Sequence, residues 1–414
     1  MGFHTQFMCN QAASFEFQEA MEQAGENVSE QRPWGDLCGD ILLGILSFLP
    51  FMDRLSFRAV CTLWRAAARQ AVAEEQHQDQ PPWLMFTTEG SDANKKQLLD
   101  HRNRKLYTIE WPEMEGARCV ASKHGWLLYH SPLDSRVFFF NPFSKATIEL
   151  PYIESLWPAS FDGHPTQDDC IIIGIFKCLP HEVIICYCGR GDDCWTLSRC
   201  KTFWQWDSFT HAASCNHQFC FMDAKGKLFV FNFLFFSTME CRGPPLNFDS
   251  YRVAYLLSSH WRIFAGFVNV DTGSIGVFVM RGGQWHWMMG ALQGEIFYLG
   301  RTASLAFDST PDEKNVLYFD TLVADGSSCP EYRMGQDRSL TDFGGFENSR
   351  CKDAMWIEPR WIEPSPLHNW LLVRHKFGDE EAKSNKHDED ENDDEDEGDE
   401  DENDDEDEND DEHE

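Results

Sequence analysis

Residues 34–65 read WGDLCGDILLGILSFLPFMDRLSFRAVCTLWR. Leu37, Ile41, Leu42, Ile45, Leu46 and Leu49 recur at three- and four-residue steps, which gathers them on one broad apolar face of a helix. Pro50 ends that helix, because it lacks an amide donor and biases Leu49 toward extended angles, and Asp53 stands where its carboxylate can cap the next helix. A second amphipathic run follows in Leu55, Phe57, Val60, Leu63 and Trp64, and the stretch from Ala66 to Ala73 is a good helix former that prolongs a third helix. Two or three helices this short cannot enclose so many large apolar groups among themselves. Part of their surface is therefore expected to be covered by another protein.

The residue types also follow a known order: a Trp and a Leu, then Asp-Ile-Leu, Ile-Leu, Leu-Pro, Asp, Arg-x-Val-Cys and Trp-Arg. This resembles an F-box, the module that docks on the Skp adaptor of cullin-RING ubiquitin ligases, and differs from it at Cys38, where F-boxes usually carry Pro. The resemblance implies a helix-in-groove contact in which Leu37, Ile41, Leu42, Ile45, Leu49, Pro50, Val60 and Trp64 are apolar anchors and Arg58 and Arg65 lie at the rim. The alternative is an ordinary helical hairpin packed into a larger domain.

At 414 residues, with 42% hydrophobic and 14% aromatic content, the chain is long enough for a small domain and one large domain. The formal charge of −34 is unevenly spread. Between Asp379 and Glu414 lie 25 acidic residues and two lysines, which leaves 44 acids against 33 bases elsewhere. That tail has no apolar residue able to build a core and repels itself, so it is expected to be an extended, disordered polyanion. It reads as a solvated tail, with contact to basic partners such as histones or a nuclear import receptor as the other reading.

The first residues hold no apolar stretch of the kind a secretory signal needs, and the fifteen cysteines are read as mostly reduced thiols of an intracellular protein, in the nucleus or the cytoplasm. Met1-Gly2 lacks the Ser or Thr of a myristoylation site, since Gln6 stands there. No apolar run reaches the ~18 residues of a membrane helix; the longest candidate is the aromatic patch from Leu228 to Phe236. No membrane association and no direct nucleic-acid contact is expected, and the Asn27 sequon is a chance match.

Taken in order, residues 1–32 read as a flexible arm, 33–75 as the helical module and 76–82 as a linker closed by Pro81-Pro82. From 83 to 376 the texture changes to short runs of Val, Ile, Phe, Tyr and Trp separated by Gly, Pro, Asn and Asp. Gly125–Tyr129, Val137–Phe140, Cys170–Phe176, Val183–Cys188, Phe219–Met222, Leu228–Asn232, Ile263–Asn269, Ile275–Met280 and Val316–Phe319 are predicted strands. Ala224-Lys225-Gly226-Lys227 and Asp271-Thr272-Gly273-Ser274 are predicted hairpin turns between them. So long a β-region exceeds one sandwich and, at about 40–45 residues per four-stranded blade, fills six or seven blades of a propeller. Residues 377–414 are the acidic tail.

Within this region Lys105-Leu106-Tyr107, Trp111-Pro112-Glu113, Ser122-Lys123-His124-Gly125-Trp126-Leu127, Asn141-Pro142-Phe143 and Leu150-Pro151 stand in a recognisable order. So do Asp169-Cys170, Gly191-Asp192-Asp193-Cys194-Trp195, Lys225-Gly226-Lys227-Leu228, Phe297-Tyr298-Leu299-Gly300-Arg301 and Asn315-Val316-Leu317-Tyr318-Phe319. Together with the helical module they resemble plant F-box proteins with a KIB-type β-propeller, from about Trp34 to Pro364. The resemblance implies a mainly β fold, a three-helix F-box followed by a propeller, and a non-catalytic substrate receptor of a Skp-cullin-F-box ligase with a protein target. A non-ligase chaperone that binds basic nuclear proteins through the tail is the rival reading.

Other chemistry is thinly supported. Asp271-Thr272-Gly273 matches an aspartic-protease motif, but that reaction needs two carboxylates sharing a proton and Asp308-Ser309-Thr310 lacks the glycine. His211, Cys215, His217 and Cys220 come nearest to a zinc set, with Cys178, Cys186, Cys188, Cys194, Cys200 and His181 a looser cluster; buried thiols explain both. Arg190-Gly191-Asp192 reads as a charged turn, and neither a phosphate-binding glycine loop nor a Gly-x-Ser-x-Gly elbow is present. No catalytic residue, metal or cofactor is expected.

Overall fold

In the computed structural model the described residues are 34–75, 80–88, 95–110, 116–269, 271–310, 313–322, 329–335, 351–362, 365 and 370. The arm over 1–32 and the acidic tail over 377–414 lie outside them, as does most of the linker. The chain divides into two compact units between Pro82 and Trp83.

The first unit holds a 3-10 turn at Trp34–Asp36, then α1 (Gly39–Phe48), α2 (Phe51–Arg58) and α3 (Thr62–Glu75). Leu49 is extended (φ −81°, ψ 134°), as the residue before a proline should be, and this breaks α1 from α2. Pro50, not Asp53, occupies the N-cap of α2, and no side chain caps it. Pro at this place costs nothing because the first amides of a helix have no internal partner, so Asp53 sits inside the first turn, where its charge meets the positive helix end. The second amphipathic run is split: Leu55 and Phe57 belong to α2, Val60 to the turn, and Leu63 and Trp64 to α3.

The second unit is mainly β, with 24 strands among the described residues in six four-stranded antiparallel blades, one of which contains a parallel pair. Blade one joins β1 (Trp83–Thr88), β2 (Lys95–Asp100) and β3 (Lys105–Glu110) to β24 (Cys351–Ile357). Blade two is β4 (Arg118–Lys123), β5 (Trp126–His130), β6 (Val137–Asn141) and β7 (Ala146–Leu150). Blade three is β8 (Ala159–Asp162), β9 (Ile171–Leu179), β10 (Glu182–Gly189) and β11 (Thr196–Lys201). Blade four runs through β12 (His211–Cys215), β13 (Gln218–Met222), β14 (Leu228–Asn232) and β15 (Ser237–Cys241). Blade five runs through β16 (Tyr251–Ser259), β17 (Arg262–Asn269), β18 (Ile275–Arg281) and β19 (Gln284–Trp287). Blade six contains β20 (Glu295–Leu299), β21 (Leu305–Asp308), β22 (Val316–Phe319) and β23 (Glu331–Arg333) in the order β21-β20-β22-β23, so β20 and β22 run parallel.

All nine predicted strands are present, and both predicted turns connect antiparallel neighbours, β13 to β14 and β17 to β18. The blade count is six. Neighbouring blades stack face to face, so their middle strands are buried on both sides: every residue of β5 and β6 is buried. This is why these strands read as continuous apolar runs instead of alternating ones. Separate apolar clusters fill the spaces between blades, for example Trp126, Phe139, Phe161 and Ile172 between blades two and three, and Phe264, Phe297, Leu317 and Phe319 between five and six.

A ring of blades must be closed, and here the last strand among the described residues does it. β24 pairs with β1 in the register Trp83↔Ile357, Leu84↔Trp356 and Met85↔Met355, so the sheet that opens the domain is completed by the strand that ends it. Trp356 is fully buried and its indole N–H donates to the Leu299 carbonyl of blade six (3.0 Å), which ties the closing strand to the neighbouring blade.

Candidate functional site

The helical unit has little interior. Leu42, Leu46, Phe57, Ala67 and Ala68 are buried, with Leu37, Ile45, Leu49, Trp64 and Ala71 packed half-exposed around them. Phe57 and Trp64 rings meet at 4.3 Å, the Trp64 indole N–H donates to the Trp34 carbonyl (2.9 Å), and the Arg54 Nε donates to the Leu49 carbonyl (2.8 Å) across the α1–α2 break.

The single broad face read from the sequence is only partly buried. Leu42 and Leu46 are buried, Ile45 and Leu49 pack half-buried against that core, and Ile41 and Phe48 stand exposed on the same helix or its end. Ile41 is 50% and Phe48 89% exposed, and Val60, Leu63 and Trp34 are exposed as well. Of the ten expected contact residues, Ile41, Pro50, Val60 and Arg65 are exposed, and Leu37, Ile45, Leu49 and Trp64 are half-buried. Leu42 and Arg58 are buried in this unit, so they are corrected to interior residues: Leu42 fills the small core, and Arg58, at the end of α2, packs inside with its carbonyl accepting from Arg65 Nε (3.3 Å). Phe48, which falls on the Ile41–Ile45 spacing, is a further exposed apolar group beyond the ten expected residues.

At one mouth of the propeller the ends of the innermost strands meet in a polar ring. Lys123 Nζ lies 3.2 Å from Asp162 Oδ1 and 3.3 Å from Ser214 Oγ, Ser258 Oγ donates to the Ser214 carbonyl (2.8 Å), and the His217 amide donates to Asp162 Oδ2 (2.8 Å). The His124 amide donates to Glu358 Oε1 (2.6 Å), and Ser122 Oγ to the Trp356 carbonyl (2.8 Å). Asn141, fully buried, donates to the carbonyls of Gly125 and Arg360 and accepts the amides of Phe143 and Ser144. Gly125 has φ +76°, and a Cβ there would meet Arg360 Cβ at 2.7 Å. The Ser122–Leu127 and Asn141-Pro142-Phe143 motifs are thus the stitches joining blades one, two and three.

These groups are engaged with one another. Burial, and then the nearby Lys123 and Arg360 charges, push the His124 imidazole down to about 3, so it is neutral at physiological pH. Burial works to raise the Asp162 carboxyl, but Lys123 and the His217 amide outweigh it and hold the group below its usual range. The residues nearest to a zinc set are engaged separately: His211 Nδ1 contacts Thr210 Oγ1 (2.8 Å) and burial pushes the ring down to about 4, while Cys220 lies buried on β13. Among the described residues no three His, Cys, Asp or Glu side chains converge to hold a metal ion. Burial pushes the Cys119 and Cys186 thiols up to about 12, far from the thiolate a nucleophile needs. Asp271 sits in an exposed turn whose amides at 271 and 272 donate to Asn269 Oδ1 (3.0 and 3.1 Å), a hairpin and not a carboxylate pair.

Comparison with known proteins agrees with this division. The KIB1-4 beta-propeller profile matches residues 97–345, and the F-box domain profile matches residues 34–71. The chain belongs to the KIB1-4 β-propeller family. It is a plant F-box protein with a KIB-type propeller. It is 25% identical over 355 residues to the F-box protein At4g00893 of Arabidopsis thaliana, covering 82% of this chain and 86% of that one. F-box protein At3g56470 of the same plant is 25% identical over 361 residues (80% and 87% covered), and F-box/kelch-repeat protein At1g57790 is 30% identical over 174 residues (41% and 48% covered). An F-box joined to a propeller is the arrangement of substrate-recognition subunits of Skp-cullin-F-box ligases, and F-box proteins are generally non-catalytic adaptors. The F-box implies a Skp-type adaptor and a cullin ligase as partners.

Proposed function

We propose that this F-box protein docks on a Skp-type adaptor through exposed Ile41 and Phe48 and half-buried Ile45 between them, flanked by Leu37, Leu49, Pro50, Val60, Leu63, Trp64 and Arg65, and presents a protein target on its propeller. One observation carries the reading: beside five buried apolar side chains, the described residues of the helical unit leave Ile41, Phe48, Val60 and Leu63 in water. An uncovered apolar surface of that kind is what a helix-in-groove partner completes. The protein makes no bond itself. Ubiquitin transfer is done by the conjugating enzyme on the RING subunit, and this chain raises the effective concentration of a target lysine near the charged thioester. Its place is inside the cell, in the nucleus or cytoplasm; the described cysteines, all free thiols, support that compartment.

The test is co-purification with the Skp adaptor. Ile41→Asp with Phe48→Asp is expected to reduce adaptor recovery by more than about tenfold while the propeller unfolds at the wild-type temperature; undiminished recovery overturns the docking surface. Leu49 and Trp64 are poorer probes, because both pack against the small core and their loss would also unfold the helices.

A further inference from the structure

The aromatic patch from Leu228 to Phe236 is divided by the fold. Leu228–Phe231 are buried in β14, but the chain then leaves the sheet, and Leu234 (60%), Phe235 (77%) and Phe236 (58%) stand exposed in the turn to β15. Hairpin turns ordinarily carry Gly, Asn or Asp, because a positive φ is cheap only there. Here the residue at φ +48° is Phe236. The turn is nonetheless fixed: Asn232 Oδ1 accepts the Phe235 amide (3.1 Å), the Phe233 amide donates to the His217 carbonyl (2.9 Å), and the Phe236 ring packs on Phe231, Phe233 and Tyr187 at 5.9, 5.3 and 6.1 Å. Three large apolar side chains are thus held out in water on a preformed aromatic base, the composition of an interface anchor.

The neighbouring blade supplies the chemistry of the partner. Tyr187, which touches Phe233 and Phe236, lies near the end of β10, and the connection that follows it carries exposed Asp192 and Asp193. The β8–β9 connection beside it carries Asp168, 99% exposed, and Asp169. The two connections are joined, since the Arg190 amide donates to the Cys170 carbonyl (3.4 Å) and the Arg190 guanidinium, largely buried, bonds the Thr166 carbonyl and lies 3.6 Å from Asp168. Arg190 is the one Lys or Arg in these two connections, against four aspartates.

We propose that the rim of blades three and four docks a segment of a protein partner in which large apolar side chains adjoin lysine or arginine. The apolar groups seat on Leu234 and Phe235, and the basic groups meet the aspartates, which adds salt-sensitive selectivity. The inference rests on the reading of the propeller as the target-binding part, and it is independent of F-box docking.

The test uses the full chain, immobilised, to select from a random-sequence peptide library on phage, followed by fluorescence anisotropy with the most enriched peptide carrying fluorescein. Peptides pairing Phe, Leu or Trp with Lys or Arg are expected to be enriched. The Leu234→Ser with Phe235→Ser chain is expected to bind the labelled peptide at least about tenfold more weakly, and Asp192→Asn with Asp193→Asn about threefold more weakly, with less dependence on salt. Both variants should unfold at the wild-type temperature and still recover the Skp adaptor, so failure here does not touch the docking of the helices. No enrichment over the Leu234→Ser with Phe235→Ser chain, enrichment of peptides without basic residues, or binding that this variant leaves unchanged overturns the proposal. A wild-type dimer in sedimentation that the same variant makes monomeric assigns the rim to a second copy, and Phe235-dependent binding to phosphatidylcholine vesicles assigns it to a membrane; either result also overturns it.

Discussion

The two units solve the problem of apolar surface in opposite ways. The propeller stacks sheet on sheet, so both faces of its middle strands are buried by its own neighbours, and β24 returns to β1 to leave no blade open. The helical unit buries Leu42 and Leu46 of α1 and leaves Ile41 and Phe48 of the same helix in water. Self-sufficiency in the first and incompleteness in the second follow from geometry: a ring provides each blade with two partners, whereas three short helices provide only one inner side. If that contrast is right, the same kind of residue should behave differently according to which unit, and which side of it, it occupies.

The largest effect is expected at the closing strand. Trp356 is fully buried, donates to Leu299 and packs edge-on against Tyr298 at 5.0 Å. Trp356→Ala should cost about 3–5 kcal/mol in denaturant unfolding of the propeller, the range for a large aromatic removed from a packed interior. A loss under about 1 kcal/mol would mean that the ring does not depend on β24. Next comes the helical unit: Leu46→Ala should cost about 2–4 kcal/mol, and because so small a core has little margin, saturating Skp adaptor should restore helicity by mass action. Helices that melt in the variant and stay melted with adaptor present would break the claim that a partner completes them.

These contrasts were only partly legible in the sequence. Apolar runs such as Val137–Phe140 mark strands, and the length of the β-region, at about 40–45 residues per blade, limits the ring to six or seven blades, of which the fold has six. Closure was not legible, because β24 finds its partner across most of the chain and its residues Cys351–Ile357 carry no local signal of which strand they meet. Nor was the order of blade six, where β22 pairs parallel to β20. In α1 the period of the leucines is clear, but spacing alone does not tell which of two adjacent apolar residues, Ile41 or Leu42, Phe48 or Leu49, faces the small core. Arg58 departs from expectation for the opposite reason: a charged side chain is expected at a rim, and this one is buried.

A smaller effect is electrostatic and belongs to the propeller alone. Asp320 is buried, and burial pushes its carboxyl up to about 6 against the Arg301 charge and the Arg301 amide, which donates to it at 2.7 Å. Tyr255, the other titratable group near it, is itself pushed far upward by burial and stays protonated. The folded state therefore holds the Asp320 proton more tightly than the unfolded chain, whose carboxyl titrates near 4. The resulting stability is full below about pH 4, is lost as pH rises to about 6, and the deficit above that is up to about 3 kcal/mol. Asp320→Asn keeps an acceptor for the Arg301 amide without the charge, so it should raise stability at pH 7.5 and flatten the slope between pH 4 and 6. An unaltered slope would locate the titration elsewhere.

The smallest effect is the one that discriminates most. Phe48 in the helical unit and Phe235 in the propeller are both large, aromatic and more than three-quarters exposed. A residue already in water has no transfer free energy left to lose, so Phe48→Ser and Phe235→Ser should each change unfolding free energy by no more than about 0.5 kcal/mol. A stabilising contact hidden from this reading would appear at once as a larger loss. With stability unmoved, any loss of binding on substitution comes from the surface itself: Phe48→Ser should weaken adaptor recovery and spare peptide binding, and Phe235→Ser should do the reverse. One variant impairing both would mean that the two surfaces are not separate, and the division of labour between helices and ring would have to be abandoned.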